Sequence, residues 1–380
     1  MARTKRAQPR NVLLEAQTAA YLYSLGNDQA RIKEVLGVSQ GEVSRLLATA
    51  RREGWLQMRC ILPDGVVQEI EQLVFANRNQ LRDRLDHEAR AHDAPPVRGI
   101  RVLPGGAAAT DPAGWNLRLE RFGRAAAARF QELLPRMRVT GVAWGKTIAG
   151  LVGGLRQSPP QGQSPAEPVH FFPITGEPLT NPDPETSSST LSHRLNEIVN
   201  GGKGMFHSLA AVPAFVPAKF PKKSREAIRA FLAEIFGYRA IFDRRQPQKP
   251  LIDQVDSIIT GVGTVSAEAS GRLLDDRMRA EETTKEQLAK LVIGDIGGVF
   301  VPRSPRNETV RGINERWTGA TLADFAGCAR AAAQNNHRVG VIVLAVGKAK
   351  AQIVLECVRL GLVNELIIDH ELAQALLGGV

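Results

Sequence analysis

Apolar positions between residues 13 and 56 recur at helical spacing, and turn signals break them into three runs. Leu13, Ala16, Ala20 and Tyr23 fall roughly on one face of a helix over 13–25. A second helix is predicted over 28–36, with Ile32, Val35 and Leu36 turned inward. Gly37 follows the last periodic residue, where a left-handed cap favours glycine. Val38 reads as a buried plug in the turn. Ser39 opens a third helix whose Val43, Leu46, Leu47 and Ala50 form an apolar stripe, and Ser39 with Glu42 has capping-box spacing. Gly54-Trp55-Leu56 ends that helix and predicts a turn into the strand of a wing. Residues 66–92 are polar and helical, with Ile70, Leu73, Phe75, Leu81 and Leu85 as their apolar positions. They could connect domains or pair with a second subunit.

From Gly99 the pattern changes to short apolar runs separated by helical stretches. Predicted strands are 100–103, 139–144, 169–174, 209–212, 257–260, 291–293, 339–346 and 366–368. The run VGVIVLAV at 339–346 has no alternation, as a parallel strand covered on both faces requires. Helices are predicted over 116–134, 147–155, 190–199, 224–236, 349–360 and 371–377. Such alternation implies an α/β fold with an open parallel sheet. Pro- and Ser-rich stretches at 157–168 and 177–189 read as surface loops. The predicted organisation is a basic tail over 1–10, a winged helix-turn-helix over 11–62, a helical linker over 63–98 and an α/β effector domain over 99–380.

Length and composition fit this division. The 380 residues suit two or three domains, and 43% hydrophobic residues supply a large core. The net charge of +10 admits nucleic acid, anionic lipid or phosphorylated ligands as partners without choosing between them. Cys60, Cys328 and Cys357 lie far apart, so no zinc-type spacing exists and no metal is expected. No apolar run approaches the roughly 18 residues of a membrane span, and the basic start lacks the core of a signal peptide. A cytoplasmic protein is expected.

Charge acquires meaning on the third helix. Gln40, Gly41, Ser44 and Arg45 lie opposite its apolar stripe, in the half that enters the major groove when such a helix reads DNA. Gln can bond bidentately to adenine and Arg to guanine. Gly41 would allow close approach to the bases, and Thr49, Arg51 and Arg52 are placed for phosphates. Double-stranded DNA is the expected partner.

Candidate ligand chemistry clusters after the strands. Gly145-Lys146-Thr147 joins a strand to a helix and so aims backbone N–H groups at an anion. A nucleotide-binding P-loop needs four residues between its glycines, and Gly141 to Gly145 encloses three, which excludes that reading. Gly261-Val262-Gly263 lacks the third glycine of a dinucleotide fingerprint, since Ser266 stands there. Asp295 lies in the run Gly294 to Gly298, and Gly347-Lys348-Ala349-Lys350 follows the buried strand. Ligands of open α/β sheets bind at the C-terminal ends of the strands, where all these loops fall. The seven histidines show no partner carboxylate at a suggestive spacing, so no catalytic residue or cofactor is assigned.

Two sets of motifs carry a resemblance. Gln29, Leu36-Gly37-Val38-Ser39, Val43 to Leu47, Ala50-Arg51 and Gly54 match the N-terminal pattern of SorC/DeoR-type sugar-binding transcriptional regulators. Further on, VTGVAWGKT, DSIITGVG, GDIGG, VLAVGKAKA and the C-terminal LGLVNELIIDHELAQALL resemble that family's effector domain, so the likeness covers most of the chain. It implies a Rossmann-like domain of the sugar-phosphate isomerase/deaminase type that senses a sugar or phosphosugar, in a homodimer or homotetramer. By position, Gly145 and Thr147 would hold phosphate, Asp295 and Lys350 would contact the sugar, and Lys146 falls where some relatives place a lysine near the sugar carbonyl. Gly176, Gly261, Gly263 and Gly347 complete the expected effector site. The chain departs from the pattern at Val346 and Glu177, where glycine is usual. Two other readings remain: an α/β domain that only oligomerises a DNA-binding protein, and a sugar-phosphate isomerase- or deaminase-like enzyme.

Overall fold

The computed structural model describes residues 11–56, 77–103, 112–160, 167–180, 183–265 and 272–378. The chain divides into two compact units, Met1–Glu69 and Ile70–Val380.

The first unit contains helices α1 (Val12–Ser24), α2 (Gln29–Leu36) and α3 (Gln40–Arg52). Each starts at a side-chain cap: Asn11 accepts from the Leu14 amide, Asp28 from Arg31 and Ser39 from Glu42, at 2.8–3.2 Å. Only half of the expected capping box forms, because the Glu42 carboxylate turns to Arg45, 3.3 Å away. Gly37 takes the left-handed conformation at φ 64° and ends α2. Ala16, Ala19, Ala20, Ile32, Val43, Leu46, Leu47 and Ala50 form the core, joined by Leu56, and Val38 packs against it. Two expected core residues lie outside it. Leu13 is exposed one turn before the alanine face, and Val35 is exposed because the buried stripe of α2 runs through Ile32 and Leu36. The wing strand expected after Leu56, like the basic tail, falls outside the described residues.

The second unit opens with α4 (Arg78–Ala91), β1 (Gly99–Leu103), α5 (Pro112–Leu133), β2 (Val139–Val142), α6 (Lys146–Gln157), β3 (His170–Pro173) and α7 (Ser188–Asn200). It continues through α8 (Lys222–Leu232), α9 (Phe236–Phe242), β4 (Ser257–Thr264), α10 (Arg272–Ala280) and α11 (Lys285–Leu291). The chain closes with β5 (Val292–Ile296), β6 (Val299–Pro302), α12 (Glu308–Asn314), α13 (Leu322–Gln334), β7 (Gly340–Ala345), α14 (Ala351–Arg359), β8 (Glu365–Asp369) and α15 (His370–Gly378).

This unit is mixed α/β around a parallel sheet of order β1-β8-β7-β4-β2-β3. β7 and β8 are buried at every position, which explains the unbroken apolar run of β7 and the apolar centre of β8 at 366–368. Leu81, Leu85 and Ala89 of α4 are buried in the same core, so this half of the segment between the predicted domains packs on the α/β unit. α5 and α6 touch backbone to backbone: a Cβ on Gly123 would lie 1.9 Å from the Gly150 carbonyl oxygen.

Several elements differ from the sequence expectation. Residues 209–212 are not a strand; pairing at this point is limited to an isolated parallel bridge between Pro213 and Glu177. They form a turn in which Val212 O accepts from the Glu177 amide at 2.8 Å. Beyond the predicted strand 291–293, the chain turns back through Gly297 and Gly298, both at positive φ, to form an antiparallel β5-β6 hairpin. Helix α13, opened by a Thr321–Asp324 capping box, also lay outside the predicted set.

Candidate functional site

Two groups of candidate residues can be located, one in each unit. On α3, Gln40, Gly41, Ser44 and Arg45 are exposed, opposite the buried Val43, Leu46 and Leu47. Gln29 of α2 ties this face in place: its Oε1 accepts from Gln40 Nε2 at 3.2 Å and from Ser44 Oγ at 3.1 Å. The Arg45 side chain is 78% exposed. Among the described residues other than its chain neighbours, only the Ser39 side chain comes within 4.0 Å of where a Cβ on Gly41 would stand, so this surface is open. Thr49 is half-buried, while Arg51 and Arg52 are exposed in the last turn, where the helix dipole favours cations.

The second group surrounds the strand ends. The chain leaves β2 for β3 but leaves β4 for β7 on the other side, which places a topological switch point between β2 and β4. After β2, Gly145 has φ 127° and caps α6. Its N–H is already used, donating to Thr186 O at 3.0 Å. Lys146 is exposed and Thr147 is buried. After β3, Gly176 fits against the 212–213 backbone, where a Cβ would stand 2.5 Å from Val212 O. Ser187 donates to the neighbouring Glu177 at 2.5 Å. Burial raises the Glu177 pKa, and the Ser187 bond opposes that rise.

The outer end of β4 leaves the parallel sheet and pairs with β5, setting Gly263 opposite Asp295. A Cβ on Gly263 would come 2.0 Å from Asp295 Oδ2, so glycine makes room for this carboxylate. Asp295 Oδ1 accepts from the Gly298 amide at 2.9 Å, and Gly261 O accepts from Gly297 at 3.1 Å. Gly347, at φ 93°, donates its N–H to Asp369 Oδ1 at 3.0 Å and starts the turn that carries Lys350. Burial raises the Asp295 pKa, against the charges of Arg277 and Lys350. Burial lowers that of Lys350, against Asp295 and Asp369. The ends of β5, β7 and β8 therefore hold mutually interacting charges in low dielectric. A carboxylate and an ammonium so placed can accept from and donate to the hydroxyls of a polyhydroxylated ligand.

Sequence reasoning did not single out four members of this region. Asp369, at the end of β8, binds the buried Arg118, which also binds Glu371. Arg277 of α10 is 1% exposed, donates to Gly298 O and lies 3.9 Å from the centre of the Phe300 ring. Asp369 and Glu371 stand in the C-terminal string quoted above, but their role, like those of Arg118 and Arg277, depends on contacts distant in sequence. A separate cavity of about 240 Å³, lined by His92, Pro95, Arg330 and Arg359 among others, precedes β1 and β8 and so lies at the opposite ends of the strands. Among the described residues, no group of three or more His, Cys, Asp or Glu could hold a metal ion, and no helix is long and apolar enough to cross a membrane.

A family model described as "Putative sugar-binding domain" matches residues 83–378, most of the second unit. The chain belongs to this sugar-binding-domain family. The match spans β1 to β8 and includes every strand-end residue described above. Solved structures agree in fold. The full-length sorbitol operon regulator SorC from Klebsiella pneumoniae is 18% identical with a TM-score of 0.53, covering 97% of this chain and 99% of its own. A transcriptional regulator from Streptococcus pneumoniae TIGR4 is 19% identical with a TM-score of 0.56, covering 80% and 97%. A DeoR family transcriptional regulator from Listeria monocytogenes is 15% identical with a TM-score of 0.52, covering 78% and 98%. No curated protein matches the sequence. Both matching comparisons meet the SorC/DeoR-type resemblance carried by the sequence motifs.

Proposed function

We propose that this protein is a ligand-responsive DNA-binding transcriptional regulator of carbohydrate genes. The observation that carries the reading is the pairing, in one chain of the sugar-binding-domain family, of an exposed Gln40–Arg45 helix face with charged strand ends at Asp295 and Lys350. The first unit acts as a winged helix-turn-helix: α3 enters the major groove with Gln40, Gly41, Ser44 and Arg45, and Thr49, Arg51 and Arg52 meet phosphates. The second unit acts as a Rossmann-like effector domain. A sugar or phosphosugar binds among Gly145, Lys146, Thr147, Gly176, Gly261, Gly263, Asp295, Gly347 and Lys350. The net charge of +10 supports association with DNA.

Val12, Leu13, Leu14 and Tyr21 leave apolar surface on α1, which favours a dimer or tetramer. Paired heads reading two half-sites need such an assembly. The protein works in the cytoplasm and carries out no reaction, since regulation requires only that effector bind two arrangements with different affinity.

A gel-shift titration with the promoter upstream of the protein's own gene, at fixed salt, tests the DNA half. Arg45→Ala loses about 1–3 kcal/mol of specific binding, and wild-type affinity falls steeply with salt. Unchanged binding by this variant removes α3 from the DNA contact.

A further inference from the structure

The guanidinium of Arg277 is inside the α/β unit, yet only one of its three nitrogens is used. Nη1 donates to Gly298 O, whereas Nε and Nη2 are buried without a hydrogen-bond partner among the described residues. Those two nitrogens form the side-on edge of a guanidinium, whose parallel N–H groups match the two oxygens of a carboxylate. A buried charge with half its donors idle is costly, and such groups are ordinarily paired. The plane is held in place by Phe300 at 3.9 Å, Trp317 at 5.0 Å and Phe215 at 6.0 Å.

Its place in the fold is beside the effector loops. Gly298, which Arg277 binds, also donates to Asp295. The residue before it, Asp276, accepts from the Thr180 amide at 2.9 Å and so ties α10 to the loop after β3. Arg316 is paired with Glu281, and the charge that acts most on Arg277 is that of Asp295, which makes no ion pair with it among the described residues. Asp295 spends Oδ1 on Gly298 and turns Oδ2 toward Gly263.

The helix end expected to hold phosphate is less receptive. The Gly145 amide is taken by Thr186 O. The adjoining Ser187 donates to Glu177, which brings a carboxylate to the same loop. A dianion there would meet one donor fewer and a like charge.

We propose that the free Nε–Nη2 edge of Arg277 binds the carboxylate of the effector, so that the ligand is a sugar acid rather than a phosphosugar. The inference rests on the sensing role proposed above and names its ligand class. The carboxylate fills the idle donor edge of Arg277, and the hydroxylated chain lies toward Asp295 and Lys350. Arg277 is then the residue that separates acids from neutral sugars.

Calorimetric titration of the full chain tests this with D-gluconate, D-galactonate and D-glucuronate, with D-gluconamide, D-glucose and sorbitol, and with glucose 6-phosphate and fructose 6-phosphate. At least one acid is expected to bind, at least about tenfold tighter than its neutral and phosphorylated counterparts, the size of one charged hydrogen-bond pair. The gluconate–gluconamide comparison needs no variant. In Arg277→Lys, which keeps the charge but loses the fork, the preference for the acid over its neutral counterpart, both measured on the variant, drops about tenfold. Neutral sugars or phosphates that bind as tightly as the acids overturn the carboxylate assignment and leave sensing intact. An undiminished preference in the lysine variant overturns it equally. No binding by any of the three classes contradicts both this assignment and the sensing role.

Discussion

Gly176 and Gly263 are both glycines of necessity, but of different kinds. A Cβ on Gly176 meets the Val212 carbonyl, which is backbone and cannot step aside. Gly176→Ala therefore costs about 1–3 kcal/mol, as overpacking does, and lowers the urea midpoint. An unchanged midpoint contradicts the packing described for the β3 exit. A Cβ on Gly263 meets a carboxylate that can swing away. Gly263→Ala accordingly leaves the midpoint nearly unchanged but displaces Asp295 and weakens effector binding. Equal stability and equal ligand affinity would show that Asp295 does not depend on this glycine.

The sequence marked these positions unevenly. Asp295 and Lys350 stand in recognisable strings, G-D-I-G-G and G-K-A-K, so their place at strand ends was readable. Arg277 was not, because its neighbours Gly298, Phe300 and Trp317 are 21 to 40 residues away and only the fold brings them together. Glu177 was noted as a departure, but its bond to Ser187 depends on how the loop after β3 meets the start of α7.

At the scale of elements, spacing located the helices of the first unit and most strands of the parallel sheet. It failed where tertiary pairing governs the chain. What looked like a strand at 209–212 pairs only through an isolated bridge between Pro213 and Glu177, and the β5-β6 hairpin needs two successive left-handed glycines. One cross-element contact has a measurable consequence. His170 at the start of β3 and His207 in the loop before α8 lie 3.1 Å apart, Nε2 to Nδ1, and Phe236 of α9 stacks on His207. Burial lowers both pKa values below the ordinary 6.5, and the like charge of His170 lowers that of His207 further.

The neutral pair is the one the fold accepts. Between the folded values and 6.5 the unfolded chain binds more protons, so this contribution to stability is full above about pH 6.5 and declines as pH falls. The raised carboxylates Glu177, Asp256 and Asp295 have the opposite slope, from the ordinary carboxylate values upward. Between pH 7.5 and pH 5.5 the wild-type urea midpoint is thus expected to lose more, or gain less, than that of His207→Gln. The same slope in wild type and variant would remove the histidine pair as a source of pH dependence.

At the scale of the whole molecule, the two units carry different halves of the proposed activity. The first presents polar and cationic side chains on one exposed helix face. The second gathers its charges at strand ends, within the region matched to the sugar-binding family. A regulator needs the two halves coupled, and that coupling is a free energy measurable from either side. The most direct test is the affinity of the full chain for its operator at fixed salt, with and without the sugar or sugar acid that binds it. The prediction is a change of about fivefold or more, in either direction, that disappears in Lys350→Ala while effector-free DNA binding stays at the wild-type level. An operator affinity unmoved by a ligand shown to saturate the second unit would contradict ligand-responsive regulation and leave the α/β unit as a scaffold.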